Sequence, residues 1–270
     1  MLIRFVRHFL LAVQFFTRLP VTGKLAEWVG YSSTMLRDSA AHFPAIGCLV
    51  GASSAMVFAG TAYALPALPA SPWVAAVLST AFSILLTGAF HEDGLADTAD
   101  GLGGGMTRER SLEIMKDSRI GTYGSAALLL VVVGKLGLLV LLYQIGIAWL
   151  IAGLFAAHVT SRLMPLFLIR TMVHVGDTQQ SKSKPLADTI NNATLFVGIL
   201  WWVAAMILAA YAFPLMPLFA GTVGALVCTV TMAWRLYKRL GGFTGDGLGA
   251  TQQLSEIGFY SGLVFAAGMS

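Results

Sequence analysis

Six runs of about 20 apolar residues set the first limit on what this chain can become: 43–63, 73–90, 125–147, 148–169, 194–212 and 218–234. A helix needs about that length to cross roughly 30 Å of hydrocarbon. A shorter apolar tail, 257–269, is either a seventh span or a half-buried helix. Residues 5–16 are too short and too cationic at their start to span, and read as an interfacial helix with Arg4, Arg7 and His8 on its polar side. Composition points the same way. Apolar residues make up 57% of the 270, charged residues 11%, and mean hydropathy is +0.76, whereas a soluble domain is about a quarter charged. That excludes a disordered chain and argues against a water-soluble globule. The expected fold is all-α: one integral membrane domain over 1–270, with six to seven transmembrane helices and an N-terminal interfacial helix.

Charge placement gives the chain a direction. The turns 64–72, 146–148 and 213–217 carry no charge. All 13 acidic residues, and every basic residue except the intramembrane Lys135 and Arg162, are assigned to the opposite side. Lys and Arg collect in cytoplasmic loops, so that side is expected to be the cytoplasm, and ionic chemistry to occur on or just inside it. The net charge of +4 then reflects topology and no nucleic-acid partner. Tyr63, Trp73, Tyr143, Trp149, Trp234 and Tyr237 stand at span ends, as interface-belt or packing residues. Cys48 and Cys228 fit no metal or redox spacing and read as packing residues. No small-residue cleavage site follows the basic, apolar first 20 residues. The segment 179–192, with Lys182, Lys184 and Pro185, reads as a polar loop.

The segment 91–124 is too organised for a linker. It opens His91-Glu92-Asp93-Gly94-Leu95-Ala96-Asp97-Thr98-Ala99-Asp100-Gly101. If the second helix continues through it, Asp93, Asp97 and Asp100 stand at i, i+4 and i+7 and share one face. Three like charges on neighbouring turns repel, and a divalent cation is the simplest compensation. Mg²⁺ takes oxygen ligands, usually a few carboxylates plus substrate phosphate. Glu92 supplies either a further ligand or a general base, and His91 suits orientation or proton transfer better than ligation. A solvated acidic helix end is the plain alternative, weakened by the five glycines between 94 and 105 and by the small residues between the acids. Downstream, Arg108, Arg110, Lys116 and Arg119 supply the opposite charge, as a phosphoryl clamp or as topology alone. Gly241-Gly242-Phe243-Thr244-Gly245-Asp246-Gly247-Leu248-Gly249-Ala250 returns to the same side, where Asp246 is a metal or hydroxyl contact or an ordinary turn residue. Lys135 and Arg162, with His158 one turn before Arg162, are membrane-embedded ionisable groups and therefore candidates for function.

Taken together, the 91–101 block, Lys116-Asp117-Ser118-Arg119-Ile120-Gly121-Thr122-Tyr123-Gly124, Gly241-Gly242-Phe243-Thr244-Gly245-Asp246, Phe16-Thr17-Arg18-Leu19-Pro20 and Phe43-Pro44-Ala45-Ile46-Gly47 resemble the cobalamin synthase family over nearly the whole chain. The resemblance implies adenosylcobinamide-GDP ribazoletransferase activity, the Mg²⁺-dependent joining of adenosylcobinamide-GDP to α-ribazole or its 5′-phosphate with release of GMP. It also implies the bacterial inner membrane or its archaeal equivalent. A looser similarity is to CDP-alcohol phosphotransferases, whose D-x-x-D-G opening is matched by Asp97-Thr98-Ala99-Asp100-Gly101. Their following Ala-Arg and second aspartate pair are absent.

The expected site joins 91–124 to 241–250. Asp93, Asp97 and Asp100, with Glu92, hold one or two Mg²⁺ against the diphosphate. Arg108, Lys116 and Arg119 hold phosphate oxygens, with Lys135 and Arg162 as further phosphate-binding candidates. The ribazole 5′-hydroxyl side attacks after Glu92, His91 or Asp246 takes its proton. The lipid bilayer is the partner, and homo-oligomerisation is left open. The competing classes are a CDP-alcohol lipid phosphotransferase and a cation-coupled transporter, the latter disfavoured because the acids gather at one face instead of at the midplane.

Overall fold

The structure, a computed structural model, describes residues 2–176 and 189–268; Lys182, Lys184, Pro185 and most of the expected loop fall outside the described residues. Among these, the chain is helical, and the sole β pairing is an isolated bridge between His174 and Phe243. The N-terminal helix α1 (Leu2–Phe16) is followed by two short helices, α2 (Gly23–Val29) and α3 (Ser33–Ser39), then by α4 (Phe43–Ala64) and α5 (Ser71–Thr87). Pro44 and Pro72 open α4 and α5 in the first turn, where the missing N–H costs nothing. After them come α6 (Phe90–Gly104), α7 (Arg108–Ile114), α8 (Thr122–Ile145) and α9 (Ile147–Thr171), then α10 (Asn192–Ala212), α11 (Leu215–Leu240) and α12 (Gly245–Ala267).

Five helices, α4 and α8 to α11, are long and apolar enough to cross a membrane. A sixth candidate is α5 taken together with α6; α5 alone, with 17 residues, is at the short end of the spanning range. It meets α6 at an 89° bend. We read α5 as the crossing and α6 as lying outside it, because α6 carries four acids in 15 residues. The chain is therefore a polytopic helical membrane protein. Every expected span is found, within a few residues at each end.

The outer helices differ from the inner ones in what they expose. In α8 and α10 only 22% of the most apolar stretch is buried in the protein, against 72% in α9. Leu129, Leu130, Phe196, Ile207 and Leu208 face outward, as lipid-facing side chains do. Under them α12 runs through the middle of the bundle, with Phe259, Tyr260 and Leu263 fully buried. The apolar tail 257–269 is thus not a span of its own but the second half of a 23-residue central helix that begins at Gly245. One consequence corrects the charge map. Glu256 sits at mid-helix and is 2% exposed, so acidic residues are not confined to one side.

The N-terminal helix is amphipathic, as expected, but its polar residues are tied down. Arg4 pairs with Asp38 at 3.2 Å and Arg7 donates to the Val29 carbonyl at 2.8 Å. His8 is buried rather than on the polar side.

Candidate active site

The site begins at the break between α5 and α6. Gly88 (φ 67°) ends α5 in the left-handed region, and its own N–H and that of Ala89 return to Leu85 and Ile84, a pattern that satisfies the last carbonyls of a helix. Ala89 follows at φ 58°, the only non-glycine residue with positive φ among those described. That conformation costs an L-residue about 1–2 kcal/mol. The Arg18 N–H donates to the Leu86 carbonyl at 2.7 Å, and its guanidinium lies against Gly88. The second helix therefore does not run on through the acidic motif. The motif starts a new helix in a new direction, within which Asp93, Asp97 and Asp100 keep one side and Glu92 lies on another.

One face meets the start of α12. A Cβ on Gly94 would stand 2.8 Å from the Asp246 carbonyl and 3.3 Å from the Gly249 Cα, so the two backbones cross in contact. This crossing brings Asp93 and Asp97 of α6 beside Asp246 in the first turn of α12. Burial, followed by the charges of Asp246, Asp93 and Asp100, pushes the Asp97 carboxyl up to about 7. Burial and then Asp93 push Asp246 up to about 6. The other charges acting on Asp97 are all carboxylates. Asp246, one of several readings in the sequence, is by position a full member of the acidic cluster.

Asp100 stands on the same side of α6, about one turn beyond Asp97, and its carboxylate reaches to α8. It accepts hydrogen bonds from the Gly121 N–H at 2.7 Å and the Gly124 N–H at 2.8 Å, at the start of α8. A Cβ on either glycine would collide with this carboxylate, which explains the Gly121-Thr122-Tyr123-Gly124 pattern. Asp100 thus neutralises orphan donors at a helix N-terminus while remaining one of the carboxylates that act on Asp97. Replacing Asp100 by alanine is expected to destabilise the protein by about 1–3 kcal/mol, the cost of unmaking charge-assisted bonds to buried N–H groups. A melting curve in detergent would show it; an unchanged curve would return Asp100 to the ligand set.

Another face of α6 points into the bundle. Glu92 Oε1 accepts from Gln253 Nε2 at 3.0 Å, and Glu92 Oε2 is buried with no partner. Burial dominates in raising the Glu92 carboxyl above its usual range. His91 packs beside Phe16 and Phe90, its imidazole held well below the usual range by burial and then by Arg162. Behind Glu92, Gln253 donates to Gln252 Oε1 at 2.9 Å, and Gln252 donates to Glu256 Oε2 at 2.8 Å and to Ser161 at 2.9 Å. Glu256 binds Lys135 at 2.6 Å, Tyr260 at 3.2 Å and the His158 ring at 3.3 Å. Arg162 Nη1 lies 3.0 Å from His158 Nδ1. Lys135 is therefore a structural counter-ion to Glu256 rather than a phosphate ligand. Sequence reasoning missed Gln252, Gln253, Glu256 and Tyr260; the mid-span Lys135 was the one signal that an acid had to be nearby.

Of the basic segment, Arg110 and Arg119 line one cavity with Asp100 at the start of α8, and both are held by acidic neighbours. Arg119 forms a two-pronged pair with Asp117 at 2.7–3.2 Å and Arg110 pairs with Glu113 at 2.7 Å, both exposed. Arg108 and Lys116 are exposed on and just after α7. None of the four is among the charges acting on Asp97 or Asp246. The cation that does engage α6 is Arg239 of α11, which donates to the carbonyls of Leu102 and Gly105 at its C-terminal end.

Could these carboxylates hold a divalent ion? Among the described residues no three His, Cys, Asp or Glu side chains stand in a complete ligating arrangement. Mg²⁺ does not need one, since it keeps several waters and binds through one or two carboxylates plus substrate phosphate oxygens. An all-oxygen cluster whose members raise one another's pKa fits that ion.

Comparison with known proteins places the chain. Residues 8–264 match the family described as cobalamin-5-phosphate synthase. The chain is 51% identical to the adenosylcobinamide-GDP ribazoletransferase of Polaromonas sp. (strain JS666), over 96% of this chain and 97% of that protein. It is 50% identical to the enzyme of that name from Albidiferax ferrireducens, over 96% and 98%, and 44% identical to that of Vibrio cholerae, over 93% and 91%. No solved structure matches.

Proposed function

The chain belongs to the cobalamin-5-phosphate synthase family, and on that premise we propose how its residues carry out the reaction. The protein is a ribazoletransferase: it joins adenosylcobinamide-GDP to α-ribazole or α-ribazole 5′-phosphate and releases GMP. The family's own description corrects one expectation. A product that keeps a 5-phosphate has its 5′ oxygen occupied, so the attacking oxygen is a ring hydroxyl of the ribose and not the 5′-hydroxyl.

The observation that carries the assignment of roles is the meeting of Asp93, Asp97 and Asp246 at the crossing of α6 and α12. These three would hold Mg²⁺ together with diphosphate oxygens. When bound, the ion neutralises charge on the diphosphate and on the departing GMP. Glu92 is the general base. Its Oε1 is fixed by Gln253 and its Oε2 has no partner, and burial raises its pKa above the usual carboxylate range, which strengthens it as a base. The ribose oxygen forms a bond to the phosphorus carrying cobinamide's aminopropanol, the bond from that phosphorus to the GMP oxygen breaks, and the hydroxyl proton passes to Glu92. The charge-free outer turns favour an active site at the cytoplasmic face of the inner membrane.

GMP release from purified protein supplied with adenosylcobinamide-GDP and α-ribazole tests this reading, with a CDP-activated lipid as the parallel substrate. Release is expected only with the corrinoid, falling to background under EDTA and recovering with added Mg²⁺. Full activity after exhaustive chelation would overturn the metal assignment.

A further inference from the structure

Beside the carboxylates lies a pocket that the roles above leave unused. It is walled by Phe15 and Phe16 of α1, Phe43 and Ile46 of α4, Phe90 and His91 of α6, and Leu248 and Gly249 of α12, with Arg162 and Gln252 also lining it. Its aromatic wall is organised around Phe16, whose ring centroid lies 4.4 Å from Phe43, 4.9 Å from Phe15, 5.6 Å from Phe90 and 6.5 Å from His91. These are the spacings at which aromatic rings attract one another, and a further flat ring can join such a set.

The polar groups of the pocket narrow the choice of occupant. Gln252 donates both its N–H groups, to Ser161 and Glu256, and accepts one bond from Gln253. Arg162 is 5% exposed and its Nε–H is buried with no partner. A buried donor left unmade is costly, so the pocket asks for an aromatic ligand that brings one acceptor and otherwise hydrocarbon. A guanine fits badly, because the one lone pair left on Gln252 Oε1 can meet at most one of its three N1–H and N2–H₂ donors. A benzimidazole base matches that chemistry, with one free ring-nitrogen lone pair on an otherwise apolar bicycle, and the cavity, about 50 Å³ as it stands, must open to admit it.

Position supports the same occupant. His91 is followed by Glu92 and Asp93, Gly245 by Asp246, and a Cβ on Gly249 would stand 3.3 Å from the His91 carbonyl. The pocket wall and the acidic cluster are two sides of one helix crossing, so a base seated here leaves its ribose at the carboxylates. We propose that this aromatic pocket seats the benzimidazole base of the acceptor, with Arg162 donating to its free ring nitrogen. The proposal rests on the ribazoletransferase reading and adds the acceptor subsite to it.

The test compares acceptors and variants in detergent-solubilised, full-length protein. With wild type, an indole riboside, in which C–H replaces the ring nitrogen, is expected to show a KM about 10-fold or more above that of α-ribazole. Arg162→Met should raise the KM for α-ribazole and erase that discrimination. Leu248→Trp, which fills the pocket, should raise the KM for both acceptors about 10-fold and leave the KM for adenosylcobinamide-GDP unchanged. Equal use of the two acceptors by wild type, a measurement that needs no variant, would overturn the proposal. So would a Leu248→Trp effect on adenosylcobinamide-GDP alone, which would make this a donor pocket. Absence of GMP release with every acceptor would instead refute the underlying reading of the enzyme.

Discussion

Asp97→Asn is expected to lower the rate of GMP release by at least 10²–10³-fold while leaving the melting temperature unchanged or slightly higher. The two halves have one cause. Asp97 is pressed by Asp246, Asp93 and Asp100, with no cation among the charges acting on it. Removing one member of a like-charge cluster relieves repulsion, and side chains that function keeps in unfavourable surroundings commonly stabilise when replaced. The amide keeps the shape of the carboxylate but not its charge, so the loss falls on the interaction with the diphosphate and its ion, where such losses are large. A carboxylate that merely supported the fold would behave oppositely, with activity falling only as the melting temperature fell. Initial rates at saturating Mg²⁺, read beside a thermal melt of the same membrane-inserted preparation, separate the cases. Near-normal activity would remove Asp97 from the mechanism.

The membrane architecture was legible because a spanning helix has to be long and apolar whatever its neighbours are. Hence 43–63 and 125–147 reappear as Phe43–Ala64 and Thr122–Ile145. What sequence periodicity could not supply was direction after a break. The i, i+4, i+7 stripe holds, because Phe90–Gly104 is one unbroken helix; what periodicity missed is that this helix is separate from α5, turned from it by 89° at Gly88 and Ala89. Gly88 was the available stop signal, since glycine commonly ends helices in the left-handed conformation. The same limit hid α12. Gln252, Gln253 and Glu256 lower its hydropathy, so a reading by apolar runs starts it at Ile257 and leaves its polar half in a loop. That half is where the buried network lies, and its polar character is affordable only because partners on α6, α8 and α9 satisfy it. Asp246 joins the cluster for a related reason: which carboxylate from a distant segment meets the stripe is decided by which helices cross, a fact of tertiary structure.

The largest effect on assembly is expected from Glu256→Gln. Glu256 is 2% exposed and accepts from Lys135 at 2.6 Å, Tyr260 at 3.2 Å and Gln252 at 2.8 Å. Neutralising it strands the Lys135 ammonium, itself 5% exposed, inside the bundle without a counter-ion. Breaking one half of a buried pair costs about 3–5 kcal/mol, a large share of the roughly 5–15 kcal/mol that hold a domain folded. The variant should therefore be recovered in much lower yield as a monodisperse species. Lys135→Met in the same chain removes the stranded charge, and the double variant should regain most of the loss, because replacing both partners of a buried pair is often close to neutral. Size-exclusion profiles and melts of wild type, the two single variants and the double variant form a cycle that isolates the pair. If Glu256→Gln instead assembled and melted like wild type but released no GMP, the pair would belong to the chemistry. The Glu256–Gln252–Gln253–Glu92 chain would then have to be read as a route acting on the general base rather than as the bundle's internal support.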